Sequence, residues 1–354
     1  MLDVAWPLAR AVLFSMDAER AHELTLSWLE RSGGLLGATA RTTLGTPDPS
    51  LAREAFGVKL AGPIGLAAGL DKDGRAIPFW PSVGFGFVEV GTVTAHPQPG
   101  NDKPRLFRLV QDKALINRMG FNNHGSEALA QRLRGLHESG RWPSIPVGAN
   151  IGKSKVTPLD EAPADYALSA ERLAGLVDWF TINVSSPNTP GLRSLQGPDA
   201  LGGIIDAVLD EVGETPVLLK LAPDLEPEAL AEAVDLAISR GISGIVATNT
   251  TISRPQSLQA DPNETGGLSG APLWPLAKDR IGVALQAASG RVPVIGAGGV
   301  HSVAQAQELL DMGCVAVQLY TGFIFEGPGL PARLNRGLAR QEHAREGLTR
   351  GAQA

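Results

Sequence analysis

The chain of 354 residues has one cysteine, Cys314. That excludes a disulfide scaffold and any cysteine-ligated metal or iron–sulfur cluster. Basic excess is also missing: 31 Lys and Arg stand against 37 Asp and Glu, a net charge of −6 at pH 7. A nucleic-acid binder would normally show a basic domain or stripe, so that class is disfavoured. No run approaches the roughly 18 apolar residues of a spanning helix. The N-terminus lacks a basic stretch followed by an apolar segment, so no secretory signal is expected. What is present is globular: 43% hydrophobic, 19% charged, and 42 glycines that point to many tight turns or to close backbone approach to a ligand. A chain this long can bury a sizeable core without staples.

Eight short β-type runs recur, at 64–69, 86–94, 146–152, 179–185, 216–222, 244–249, 293–298 and 316–321. Most are near-continuous runs of small or β-branched apolar residues, as in strands buried on both faces. Amphipathic helices are expected at 160–175, 226–240 and 301–313, the last two stopping at Gly241 and Gly313. Strands alternating with helices imply a parallel sheet, and eight such units fit an α/β (β/α)8 TIM barrel. A doubly wound open sheet is the runner-up. Against it, the first strand leads into GLDKDG and not G-x-G-x-x-G.

Two segments interrupt the alternation. Residues 97–122 show no helix, and PRLFRL and KALINRM within them read as a small hairpin over the barrel. Residues 251–272 form a second long connection rich in Pro, Gly and Asp, and such insertions are often binding loops. Residues 4–14 and 18–31 read as two short helices ahead of the barrel, with Asp17 as N-cap of the second. The division expected is 1–42 for this helical extension and 43–354 for the barrel. The extension reads either as a helical hairpin packed on the barrel or as an interfacial anchor with Trp6 and Trp28 at headgroup depth. Ala21, Leu24, Trp28 and Leu29 are expected on one side of the second helix.

Functional residues of such a barrel cluster at the C-terminal strand ends. Those ends carry Asp71–Lys72, Thr92–Thr94, Asn150, 183–188, Lys220, 248–250, Gly298–Gly299 and 320–322. Paired carboxylates for glycoside hydrolysis are missing, as are His and carboxylate clusters for a metal. Asn, Ser, Thr and Lys suit a neutral-to-anionic ligand gripped by amide hydrogen bonds. GAGG (296–299) after strand seven and YTG (320–322) after strand eight stand where barrels commonly bind phosphate; the alternative is a tight turn that needs glycine. Lys72 and Lys220 converging on one barrel mouth suggest anion stabilisation, unless Asp71 pairs with one of them. In TINVSSPNTPGL (181–192), strict alternation aims Asn183 and Ser185 the same way and leaves out Ser186, but Pro187 ends the strand. Cys314 reads as a small core residue, and His96, His124 and His301 receive no role. Composition and spacing stop at a barrel that binds a phosphorylated ligand.

The motifs GLAAGLDKDG (65–74), NDKPRLFRL (101–109), INRMGFNN (116–123), NVSSPNTPGLR (183–193), ATNT (247–250), GGLSG (266–270), GAGGV (296–300) and YTG (320–322) occur in the order seen in dihydroorotate dehydrogenases, and the chain resembles that family from about residue 5 to 335. DAERAHEL (17–24) resembles the N-terminal extension of the membrane-associated, quinone-using branch. The resemblance implies flavin mononucleotide (FMN) in the barrel mouth, with residues 68–72 (Ala68, Gly69, Leu70, Asp71, Lys72), Thr92, Asn150, Asn183, Lys220, Thr248, Gly270, Gly299, Tyr320 and Thr321 around it. It implies a dihydroorotate site of Lys72, Asn117, Arg118, Met119, Gly120, Phe121, Asn183, Asn188, Asn249 and Thr250. Ser186 would take the proton from ring C5, with Thr189 and Phe121 as relay and shield, and His22 and Arg108 would meet the quinone. A serine hydroxyl is a poor base and needs such a relay. The same resemblance implies a step of pyrimidine biosynthesis, carried out by a monomer held peripherally on the cytoplasmic face of the inner membrane. The alternatives are a related FMN barrel using fumarate or NAD, an RNA-modifying flavin barrel, or a non-redox phosphate-binding barrel.

Overall fold

The computed structural model describes residues 2–189, 191–259 and 263–351. Pro190 of NVSSPNTPGLR, residues 260–262 of the second insertion, and 352–354 lie outside the described residues. Eight parallel strands close a barrel: β1 (Ile64–Leu66), β2 (Phe87–Val93), β3 (Val147–Ile151), β4 (Trp179–Asn183), β5 (Val217–Leu221), β6 (Gly244–Ala247), β7 (Val294–Ala297) and β8 (Ala316–Leu319). Each pairs with its sequence neighbours, and β8 closes on β1. Buried on both faces, all eight fall within the expected runs, but they stop early at their C-terminal ends. After β1, Gly69 adopts φ +101° and its N–H reaches Gly91 O at 2.6 Å, a geometry no extended strand permits.

The described residues also form ten α-helices: α1 (Leu2–Phe14), α2 (Ala18–Leu44), α3 (Ser126–Glu138), α4 (Ala162–Leu173), α5 (Pro198–Val212), α6 (Pro227–Ser239), α7 (Trp274–Ala288), α8 (Val303–Asp311), α9 (Thr321–Glu326) and α10 (Leu330–Gly351). The barrel floor is plugged by Phe87 and Trp179, both fully buried, above the hairpin Arg53–Leu60. Glycine faces each ring: a Cβ on Gly65 would lie 2.2 Å from Phe87, and one on Gly148 would lie 2.0 Å from Trp179. Truncating either ring to Ala would cost roughly 3–5 kcal/mol, with little room for relaxation elsewhere.

The two insertions meet. The expected hairpin forms from Leu106–Leu109 and Ala114–Asn117, and Gly267–Gly270 from the second insertion adds to it, giving a three-stranded antiparallel sheet.

The N-terminal segment departs from expectation in three ways. Asp17 caps α2 by accepting from Arg20 N at 2.9 Å, as expected, but the helix runs to Leu44 instead of stopping at 31. Glycine costs a helix ~1 kcal/mol relative to alanine. Gly33 and Gly37 face Phe79 and Ser82, where an added Cβ would make ordinary contact at 3.4–3.5 Å. The cost is offset by Leu29, Ala40 and Leu44 of α2, which are buried against the barrel. The expected apolar face also splits: Ala21 and Leu29 are buried, whereas Leu24 and Trp28 are 53% and 59% exposed. Trp6 does not join Trp28 outside. Its ring packs on Gly327 and its Nε1 donates to Phe325 O at 3.3 Å. Among the described residues no helix is long and apolar enough to cross a membrane.

Candidate active site

The C-terminal strand ends surround a cleft of about 1000 Å3, counting its open mouth. Its wall rests on a buried polar network anchored by Glu89, a fully buried carboxylate inside β2. Glu89 accepts from Asn150 Nδ2 at 2.7 Å and from Gln318 Nε2 at 2.8 Å. This turns Asn150 Oδ1 toward Thr92 Oγ1 and Asn183 Nδ2, which both donate to it. Asn183 Nδ2 also donates to Thr92 Oγ1 at 2.9 Å, so each amide orientation is set by its partners. Asn150 therefore stands behind the cleft and positions Thr92 and Asn183, which line it. Lys220, beside Asn183 in the ladder, is buried at the cleft wall. Burial pushes its pKa down and Glu89 pulls it back up, with a net lowering.

Gly298 and Gly299 follow β7 with φ of +140° and +73°. A Cβ on Gly299 would sit 2.7 Å from Trp274 N, so only glycine fits the turn. Across the gap, Tyr320 and Thr321 open α9, and Thr321 Oγ1 lies 2.8 Å from Ser269 Oγ. Tyr320 OH is 3.4 Å from Gly69 O, which ties the β8 end to the β1 end.

The segment after β4 separates the two serines. Ser185 Oγ donates to Asn183 Oδ1 at 2.9 Å and accepts from Asn249 Nδ2 at 2.9 Å, and it does not line the cleft. Ser186 lines it, and its Oγ accepts from Asn188 N at 3.3 Å. Asn188 Nδ2 donates to Asn117 Oδ1 at 3.1 Å, joining this segment to the inserted sheet. Phe121, at φ +52°, closes the near wall against Gly152 and Thr92. Thr189 Oγ1 is buried and has no hydrogen-bond partner among the described residues.

Of the residues expected around the ligands, Ala68, Gly69, Lys72, Thr92, Asn117, Met119, Gly120, Phe121, Asn183, Ser186, Asn188, Lys220, Thr248, Asn249, Thr250, Gly270, Gly299, Tyr320 and Thr321 line this cleft. Leu70, Asp71, Asn150, Arg118 and Thr189 do not. Asp71 pairs with neither lysine. Its carboxylate accepts from Arg75 N, Ala76 N and Trp80 Nε1 at 2.7, 2.9 and 2.9 Å and so shapes the β1 loop. Arg118 holds Glu264 and Pro104 O and stacks over Phe107. Arg108 donates to Leu13 O and Met16 O at 3.1 and 2.7 Å, tying down the carbonyl end of α1, and it covers the Phe14 ring. His22 lines a second cleft of about 910 Å3 that shares Lys72 with the first. Burial and the nearby Lys72 charge push its pKa down to about 3, so the imidazole is neutral at physiological pH. Glu89 and Gln318 were missed by sequence reasoning; the available signal was a polar residue inside an otherwise apolar strand, FVEVGTV and AVQL.

A cleft at the strand ends with amides, two lysines and a glycine turn can be compared with known proteins. The profile of the family described as dihydroorotate dehydrogenase matches residues 50–341. The chain belongs to the dihydroorotate dehydrogenase family. It is 50% identical over 341 residues to the dihydroorotate dehydrogenase (quinone) of Anaeromyxobacter sp. (strain K), covering 95% of this chain and 92% of the relative. The protein of that name from Gloeobacter violaceus is 49% identical over 334 residues, with 94% and 93% covered. Among solved structures, Eimeria tenella DHODH in complex with ferulenol superposes with a TM-score of 0.85 at 34% identity, covering 94% of this chain and 95% of that one. Enzymes of this family depend on a flavin. The cleft fits one. It offers a glycine turn for a phosphate, and beside it the buried Gln318 Oε1 has no hydrogen-bond partner.

Proposed function

We propose that this chain oxidises dihydroorotate to orotate and passes the two electrons to a membrane quinone, in pyrimidine biosynthesis, with FMN as its flavin. The observation that carries the reading is the single cleft in which Ser186, Asn117, Asn188, Asn249 and Lys72 face Lys220 and the Gly298–Gly299 turn. When bound, FMN supplies the hydride acceptor for the first half-reaction and the donor for the second. Gly299, Tyr320 and Thr321 hold its phosphate, and Thr92, Asn183 and Lys220 hold the ring, where the Lys220 charge favours added electron density.

Lys72 attracts the substrate carboxylate. Asn117, Asn188 and Asn249 meet its ring amides, since each amide offers a donor and an acceptor. Ser186 Oγ accepts the C5 proton as the hydride leaves C6. Buried Thr189, with its unpartnered hydroxyl, takes part in passing that proton outward through an intervening water. Phe121 shields the reacting carbons from bulk water.

The helical extension handles the quinone near His22 and Arg108. The extension sits peripherally on the cytoplasmic face of the inner membrane; its contact with a membrane surface is supported by Leu8, Val12, Leu24 and Trp28, large apolar side chains exposed at 76, 58, 53 and 59% on α1 and α2. The test is the visible spectrum of FMN-loaded protein under anaerobic conditions. Bleaching by dihydroorotate and recovery with a short-chain quinone are expected. Bleaching without recovery would remove the quinone assignment, and protein that cannot be loaded with FMN would overturn the reading.

A further inference from the structure

The buried ion pair between α2 and the first insertion leads into the active site. Glu19 is 5% exposed and Arg105 is 5% exposed. Arg105 Nη2 meets Glu19 Oε1 at 2.7 Å and its Nε meets Oε2 at 3.0 Å, a two-pronged contact. Burial raises the Glu19 pKa, and the bonds from Arg105 and Lys103 more than reverse it, so the carboxylate stays charged. The remaining donor, Arg105 Nη1, binds Pro99 O at 2.6 Å and Asn101 O at 2.7 Å. The loop carrying Asn101 is thereby held from α2. Asn101 Nδ2 then donates twice, to Arg118 O at 2.9 Å and to Asn188 O at 3.1 Å. One amide thus joins the Asn117–Phe121 wall to the segment that carries Ser186 and Asn188. Gly120, at φ +70°, leaves just enough room: a Cβ there would lie 2.7 Å from Asn101.

We infer that Asn101 is a positioning residue that, together with the direct Asn188–Asn117 bond, sets the distance between the two substrate-binding walls, and that Glu19 and Arg105 make this distance depend on the N-terminal helices. The inference rests on the proposed substrate site and extends it. The quinone-side extension is therefore also part of the dihydroorotate side. Changes in α2 far from the substrate alter substrate binding, although no α2 side chain touches it.

The test uses FMN-loaded protein and the variants Asn101→Ala and Glu19→Gln. Orotate binding is read from the flavin spectrum, dihydroorotate-driven bleaching by anaerobic stopped flow, and amide hydrogen exchange in peptides spanning 115–121 and 183–189. Asn101→Ala is expected to weaken orotate binding about tenfold, as for the loss of two hydrogen bonds, and to speed exchange in both peptides. Its flavin content and the pH profile of bleaching should stay as in wild type. Glu19→Gln is expected to move binding and exchange in the same direction, by about threefold. A merely structural role would lower the melting temperature and flavin content while leaving orotate affinity of the folded protein unchanged; that result overturns the inference. If Asn101→Ala does not fold, Glu19→Gln decides: wild-type affinity and exchange in that variant refute the coupling. Wild-type protein that fails to bleach with dihydroorotate sinks the functional proposal instead, so the two failures are separable.

Discussion

Lys72 should be costly to the fold and necessary to the site, and the two effects can be read from one substitution. Burial lowers its pKa from 10.5 to about 8, with Asp73 and Glu23 opposing the shift. At ~1.36 kcal/mol per pH unit, that difference is on the order of 3 kcal/mol of destabilisation while the amine is charged. The folded-state value lies below the unfolded one. The penalty is therefore full below about pH 8 and is relieved as pH rises from there toward 10.5. Lys72→Met keeps the stem and removes the charge, so at pH 7 it should be the more stable protein, by up to ~3 kcal/mol, with the gain shrinking above pH 8. Substrate binding has the opposite sign. A carboxylate beside the amine favours its charged form, so wild-type affinity for orotate should be level below about pH 8. Above that it should fall toward tenfold per pH unit, as one proton must be taken up on binding. The variant should bind at least about tenfold more weakly at pH 7 and should lose this bend. Urea unfolding followed by the fluorescence of the 6 tryptophans gives the first quantity. Orotate titration of the flavin spectrum from pH 6.5 to 9.5 gives the second. A variant that is less stable at pH 7, or that keeps wild-type affinity, refutes the argument, as does a wild-type profile with no bend in that range.

Ser186→Ala should slow dihydroorotate-driven bleaching by roughly a hundredfold or more with FMN retained. Ser185→Ala, which only frees Asn183 and Asn249, should act mainly on orotate affinity; stopped flow at saturating dihydroorotate separates them, and the reverse order would reassign the base. Gly299→Ala places a methyl group 2.7 Å from Trp274 N at φ +73°, so it should give a folded protein without FMN, seen as normal circular dichroism with no yellow colour. Leu24→Ser with Trp28→Ser removes two exposed apolar side chains, so binding to phospholipid vesicles in a flotation assay should weaken at least about tenfold. Turnover with a water-soluble quinone should be unaffected.

The barrel was legible in the sequence because strands buried on both faces leave continuous apolar runs, and that signal is local. The polar network beneath the site was not legible, because its logic is non-local. Glu89 looks like an error in an apolar strand until Asn150 and Gln318 arrive from 61 and 229 residues away to satisfy it. The length of α2 was hidden for a related reason: Gly33 and Gly37 lower helix propensity locally, and what carries the helix past them is the burial of Leu29, Ala40 and Leu44 against the barrel, a tertiary contact. Arg108 carries the same lesson in reverse. Its motif points to a ligand, yet its guanidinium is first engaged by carbonyls 95 and 92 residues earlier, at the end of α1. The choice between Ser185 and Ser186 shows where pattern reasoning stops. Alternation holds while the ladder continues, and the ladder ends at Asn183. Beyond it Ser185 turns back to the network and Ser186 to the cleft. The chemistry of a barrel is therefore carried by the residues just past the last ladder hydrogen bond, where periodicity no longer constrains direction. Long ordered motifs were informative at those positions because each of them spans a strand end and the irregular turn that follows it.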